Sequence, residues 1–107
     1  MVPENRQDWL RACAVDVNDM PGASAADLER CAKALWSRLE LGRITKLLKL
    51  EMHTVEYTDG RPASHVIFVD ETLARHCPQN LARVHEIVTS YVAGWWAGVR
   101  EERELKI

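Results

Sequence analysis

The ten residues Arg43–Met52, RITKLLKLEM, carry two incompatible patterns, and the fold turns on which one holds. Read as a helix, Ile44, Leu47 and Leu48 fall on one side, with Arg43, Lys46 and Lys49 on the other. Read as a strand, Leu48, Leu50 and Met52 alternate with Lys49 and Glu51. Val55 and Tyr57 continue in β-favouring chemistry, so the pattern predicts a strand from about Leu47. The apolar positions change parity between Met52 and Val55, which predicts a bulge or twist near His53 and Thr54.

Downstream, Thr58–Ala63, TDGRPA, contains the Asp-Gly signal of a tight hairpin, and the short apolar run His65–Val69 supplies its second strand. Asp70 can cap a turn of helix through Arg75. Pro78 can open the last helix, because the N–H it lacks would be unpaired at that position. Leu81, Val84, Val88, Tyr91 and Trp95 then recur at helical spacing, widened by Ile87, Val92 and Val99, and predict a long amphipathic helix to about Glu104.

Upstream, Gly42 is placed to end a helix that begins after Ser24. Ser24 and Asp27 form a capping box with Asp in place of Glu, and Leu28, Cys31, Ala32, Leu35 and Leu39 follow on one face. Asn18–Ser24, NDMPGAS, interrupts the chain before it. Pro3, Glu4 and Asp8 suit a helix N-terminus, so a first helix is expected from about Pro3 to Val17, burying Trp9, Leu10, Cys13 and Val17. The expected order is two N-terminal helices, a β-hairpin and a long C-terminal helix (ααββα), an α+β fold in a single domain over residues 1–107.

The composition, 47% hydrophobic and 28% charged, belongs to a folded globular chain and not to a disordered one. The net charge is −2, and the segment 42–62 is the only one with a basic excess, of one charge. No charge block points to a nucleic-acid or membrane partner. Cys13, Cys31 and Cys77 are odd in number and lack metal-type spacing, which fits three reduced thiols in a cytoplasmic protein. The longest uncharged run, Ile87–Val99, is too short for a bilayer, which takes about 20 residues. High Ala, Arg and Val content is of the kind found in GC-rich bacterial coding sequences.

No nucleophile, phosphate-loop or metalloprotease motif occurs, so no catalytic residue, metal or cofactor is assigned. His76, Cys77 and His85 cluster near the start of the last helix, where a lowered thiol pKa at a helix N-terminus is their one claim to reactivity. His53 and His65, on facing strands with Glu51 and Asp70 nearby, could do acid–base work if they lined a cleft.

A binding function has firmer physical grounds. A two-stranded hairpin is marginal in water and leaves two unpaired edges, which a two-fold dimer could satisfy. In Tyr91–Arg100, YVAGWWAGVR, a helical wheel puts Trp95 in the core and Trp96 on one flank. Gly94 and Gly98 lie on the other, where a second backbone can approach. That backbone could be the chain's own first or second helix, or another copy. Tyr91, Gly94, Trp96 and Gly98 are therefore the expected interface of a homodimeric protein-binding module, an adaptor, assembly factor or inhibitor of the kind carried on mobile elements. The alternative takes Arg43–Leu50 as helical. Residues 24–70 then resemble a winged helix, which implies a DNA-binding regulator with Arg43, Lys46 and Lys49 on the recognition element and Arg61 at the wing tip.

Overall fold

The computed structural model describes residues 9–106. It is an α+β structure whose elements run β1 (Trp9–Val15), α1 (Ala25–Leu41), α2 (Ile44–Leu47), β2 (Glu51–Val55), β3 (Ser64–Asp70), α3 (Glu71–His76) and α4 (Pro78–Leu105). The strands form one antiparallel sheet in the order β1-β3-β2, so β1 and β2 run parallel to each other with β3 between them.

The first departure from expectation is β1. Trp9–Val15 is a strand and not the middle of a helix; residues 3–8 of the expected helix lie outside the described residues. The register explains the false signal. Trp9, Leu10 and Arg11 face Asp70, Val69 and Phe68, then the pairing slips, so that Cys13 faces Ile67 and Val15 faces His65. The extra residue, Ala12, moves Leu10, Cys13 and Val15 onto one face, and the first two acquire the three-residue spacing that reads as helix. The strand forms because β3 is apolar on both faces, with Val66, Ile67, Phe68 and Val69 all buried. A strand of that kind belongs in the sheet centre, with a ladder on either side.

The deciding segment divides. Ile44–Leu47 is a single helical turn and the strand starts at Glu51, four residues later than expected. The chain changes direction through two left-handed residues, Arg43 (φ 58°) and Lys49 (φ 48°). Gly42 does cap α1, but with φ −79°, so the left-handed step that glycine usually takes falls to Arg43. β2 pairs with β3 from Glu51 to Val55 without a slip, so the bulge expected at His53 and Thr54 is absent there. The β2–β3 hairpin exists, but its strands are joined by residues 56–63, a longer connection than the Asp-Gly signal implied. Tyr57 and Arg61 stiffen it: the guanidinium lies 4.0 Å from the ring centroid, and the Tyr57 and Ser64 hydroxyls are 3.0 Å apart.

The locally encoded ends agree with the sequence. Ser24 Oγ accepts from the Asp27 N–H at 3.2 Å while the Asp27 carboxylate accepts from the Ser24 N–H at 3.0 Å. Asp70 Oδ1 accepts from the Leu73 N–H at 3.0 Å, and Pro78 opens α4.

The core lies between the sheet and the helices. Val15, Ile67 and Val69 of the sheet meet Leu28, Leu35 and Leu39 of α1 and Val84, Val88 and Val92 of α4. Each such side chain contributes about 1.5–3 kcal/mol on burial, before chain entropy is subtracted. The opposite sheet face carries Val66 and Phe68, with His53 edge-on to Phe68 at 5.6 Å and the Glu51 carboxylate 3.2 Å from His53 Nε2.

Candidate interaction surface

The surface begins with how α4 is clamped. Its buried stripe is Val84, Val88, Val92 and Trp96, and Leu81, Ile87, Tyr91, Trp95 and Val99 are half-buried beside it. This reverses the two tryptophans. Trp96, expected on an exposed flank as an anchor, is 6% exposed, while Trp95 is only half-buried.

The cause is the loop between β1 and α1. Its own Met20 and Ala23 are buried in the core, and Trp96 Nε1 donates to the Pro21 carbonyl at 3.1 Å. Arg103, two turns further along the same face of the helix, lies 5.6 Å over the Trp96 ring and donates to both Asp27 carboxylate oxygens, at 2.6 and 3.2 Å. Arg30 donates to the same carboxylate. The Arg103 guanidinium, then the Ser24 N–H, hold the Asp27 carboxyl well below the usual carboxylate range despite its burial. Helical periodicity alone could not choose between Trp95 and Trp96, because a loop 75 residues away makes the choice.

Locked in this way, α4 turns Tyr91, Gly94 and Gly98 to one flank. Tyr91 is half-buried, and both glycines are exposed. A methyl group added at Gly94 or Gly98 would meet no atom within 4 Å. The close neighbour that two helical glycines suggest is therefore not α1 or any other described part of this chain.

Beside this flank, between α1 and the first half of α4, lie two adjoining hollows. One, of about 410 Å³, has Leu41, Ile44, Leu47 and Ile87 on its walls with Arg38 and Arg83 at its margin. The other, of about 480 Å³, is bounded by Arg38, Arg83, Glu86, Ile87 and Tyr91. Leu41 is 81% exposed and Leu47 56%. Sequence reading missed this concavity because its walls come from α1, α2 and α4.

The other candidates are dispersed. His53 pairs opposite Val66 and His65 opposite Thr54, so the two histidines occupy opposite faces of the sheet and do not meet. His65 has its nitrogen Nδ1 3.5 Å from Thr54 Oγ1, and burial lowers its pKa. Cys77 caps α4 without a side-chain hydrogen bond. His85 instead shares a hollow of about 230 Å³ with Cys13 and Asp19, a trio that no local spacing could reveal. Burial, and then the Asp19 charge, push the Cys13 thiol up to about 12, so it is protonated at neutral pH and a poor nucleophile. Among the described residues no group of three His, Cys, Asp or Glu side chains could hold a metal. None of the helices there is long and apolar enough to cross a membrane.

Arg43, Lys46 and Lys49 are exposed around the one-turn α2, and Arg61 pairs with Asp59 at 2.6 Å in the hairpin connection. No family model matches the chain, and comparison with curated proteins and with solved structures finds no match.

Proposed function

We propose that this chain is a small protein-binding module that acts as a homodimer, as an adaptor, assembly factor or inhibitor and without catalysis. The flank of α4 carrying Tyr91, Gly94 and Gly98 is its contact surface. One observation carries the reading. Two glycines inside a long helix cost about 1 kcal/mol each relative to alanine. Nothing within the described chain uses the space they leave. Close approach of a second backbone is the physical gain that offsets such a cost. Trp96 is not part of the surface, because its burial against Pro21 commits it to the fold.

Sedimentation equilibrium at micromolar concentration tests this directly. The wild type is expected at twice the chain mass, and Gly98→Leu is expected to shift it toward the monomer while leaving its circular dichroism unchanged. A monomeric wild type overturns the dimer.

A second reading, duplex DNA binding, is favoured by the exposure of Arg43, Lys46 and Lys49 around α2. It is the weaker reading because α2 spans only Ile44–Leu47, about 6 Å of helix, and offers few side chains for base edges. It requires duplex affinity that falls steeply with salt. Absence of any gel shift at low salt removes it.

A further inference from the structure

The unused charges along α1 and α4 say how two copies would meet. Arg30 and Arg103 are committed to Asp27, Lys33 to Glu29, and Lys106 to Glu102. Of the charges left unpaired along the two helices, four stand at the two ends of this surface: Arg38 and Arg83, exposed at one end of the α1/α4 groove, and Glu101 and Glu104, exposed at the far end of α4. Glu86 joins the arginines at the basic end, Glu40 borders neither hollow, and Arg100 is turned to the face of α4 away from Gly94 and Gly98. None of the four has an ion-pair partner among the described residues. They cannot serve one another within the chain, since Arg83 and Glu101 are separated by about 27 Å along the helix.

The apolar groups are divided in the same way. The hollow walled by Leu41, Leu47 and Ile87 lies at the basic end, and Leu105, 81% exposed, lies at the acidic end. Ile87, Tyr91, Gly94, Gly98, Glu101 and Leu105 recur at spacings of four, three, four, three and four residues, forming a single seam of the coiled-coil type.

We propose that α4 packs antiparallel against α4 of a second copy along this seam, in the register that places Gly94 opposite Gly98. The inference rests on the homodimer proposed above and specifies its geometry. Reversing the seam onto itself in that register sets Tyr91 opposite Glu101 and Ile87 opposite Leu105 of the second copy. The crowded centre is then glycine against glycine, where two backbones can come closest. Leu105 of each copy covers the other's Leu41/Leu47 hollow, and the Glu101/Glu104 end lies beside Arg38 and Arg83. A parallel pairing would put arginines against arginines and glutamates against glutamates. Charge complementarity therefore selects the antiparallel arrangement. Glu86 also stands on the second hollow's rim, which with Arg38 and Arg83 remains net basic.

The test is a charge swap read by sedimentation equilibrium at low ionic strength, where these pairs are least screened. All four side chains are exposed, so the variants are expected to fold, which circular dichroism checks. Arg38→Glu with Arg83→Glu, and separately Glu101→Lys with Glu104→Lys, are each expected to weaken the dimer at least about tenfold. The chain carrying all four substitutions restores opposite charges across the seam and is expected to dimerise within about threefold of wild type. Leu105→Asp is expected to weaken it at every salt concentration. If the wild type is dimeric but the paired variants dimerise equally well, or the fourfold variant is not restored, the antiparallel seam is wrong while the homodimer stands. A monomeric wild type removes both.

Discussion

Replacing Trp96 by alanine should damage this protein far more than replacing Trp95, although the two are adjacent and identical. Trp96 is 6% exposed and sits in the core with Val92, Met20 and Ala23. Truncating a buried Trp to Ala costs about 3–5 kcal/mol, and loss of the Nε1 donor leaves the Pro21 carbonyl short of a partner for about 1 kcal/mol more. A domain of this size has only about 5–15 kcal/mol in total. Trp95 is half-buried at the edge of a surface hollow with Arg30 and Val99, so its truncation should cost about 1–2 kcal/mol, scaled down from the buried case. Urea unfolding followed by far-ultraviolet circular dichroism reads the difference. With a slope of about 2 kcal/mol/M, Trp96→Ala should lower the midpoint by about 2–3 M and Trp95→Ala by about 0.5–1 M. Trp96→Phe keeps a six-membered ring but loses the Nε1 donor and leaves a smaller cavity, and should cost about 2 kcal/mol. Trp95→Ala proving as costly as Trp96→Ala would refute the reasoning, since the loop around Pro21 would then not be closing over α4.

Three further outcomes follow from the same geometry. The Asp27 carboxyl, held below its ordinary value by Arg103, contributes stability that is complete above about pH 4 and is lost as pH falls toward its folded-state value. Asp27→Asn should therefore lower the urea midpoint at pH 7, and the gap to wild type should close in acid; a gap independent of pH would contradict the Arg103 assignment. Burial pushes the Cys13 and Cys31 thiols up to about 12 and about 11. A disulfide reagent at pH 8 should thus titrate at most one thiol before urea is added, and fast reaction of two or three would show that the β1 and α1 thiols are not enclosed. At concentrations low enough to keep the chain monomeric, Gly94→Ala and Gly98→Ala should each stabilise it by up to about 1 kcal/mol, because an added methyl meets open space. Destabilisation of the monomer would mean that something within the chain packs there.

How much of this was legible beforehand depends on how far each signal reaches along the chain. Ser24 and Asp27, Asp70 and Leu73, and Pro78 act within one turn, so the starts of α1, α3 and α4 could be read from sequence. The apolar run of β3 and the positions of Tyr91, Gly94 and Gly98 on α4 were readable too, since periodicity is a property of the segment itself. Arg43–Met52 was ambiguous because both patterns are real. The chain makes one helical turn at Ile44–Leu47 and one strand from Glu51, with left-handed residues at Arg43 and Lys49 marking the changes.

What only the tertiary structure decided is what distant residues impose. β1 is a strand because β3, more than 50 residues later, requires a second ladder, and its bulge at Ala12 disguises the alternation. Trp96 rather than Trp95 is core because Pro21 and Asp27 hold the end of α4 in that rotation. The Arg38/Arg83 hollow exists only once α1, α2 and α4 are packed. A cap or a periodicity is settled by neighbours a few residues away, whereas strand pairing, helix rotation and concavity depend on which surfaces meet across the fold.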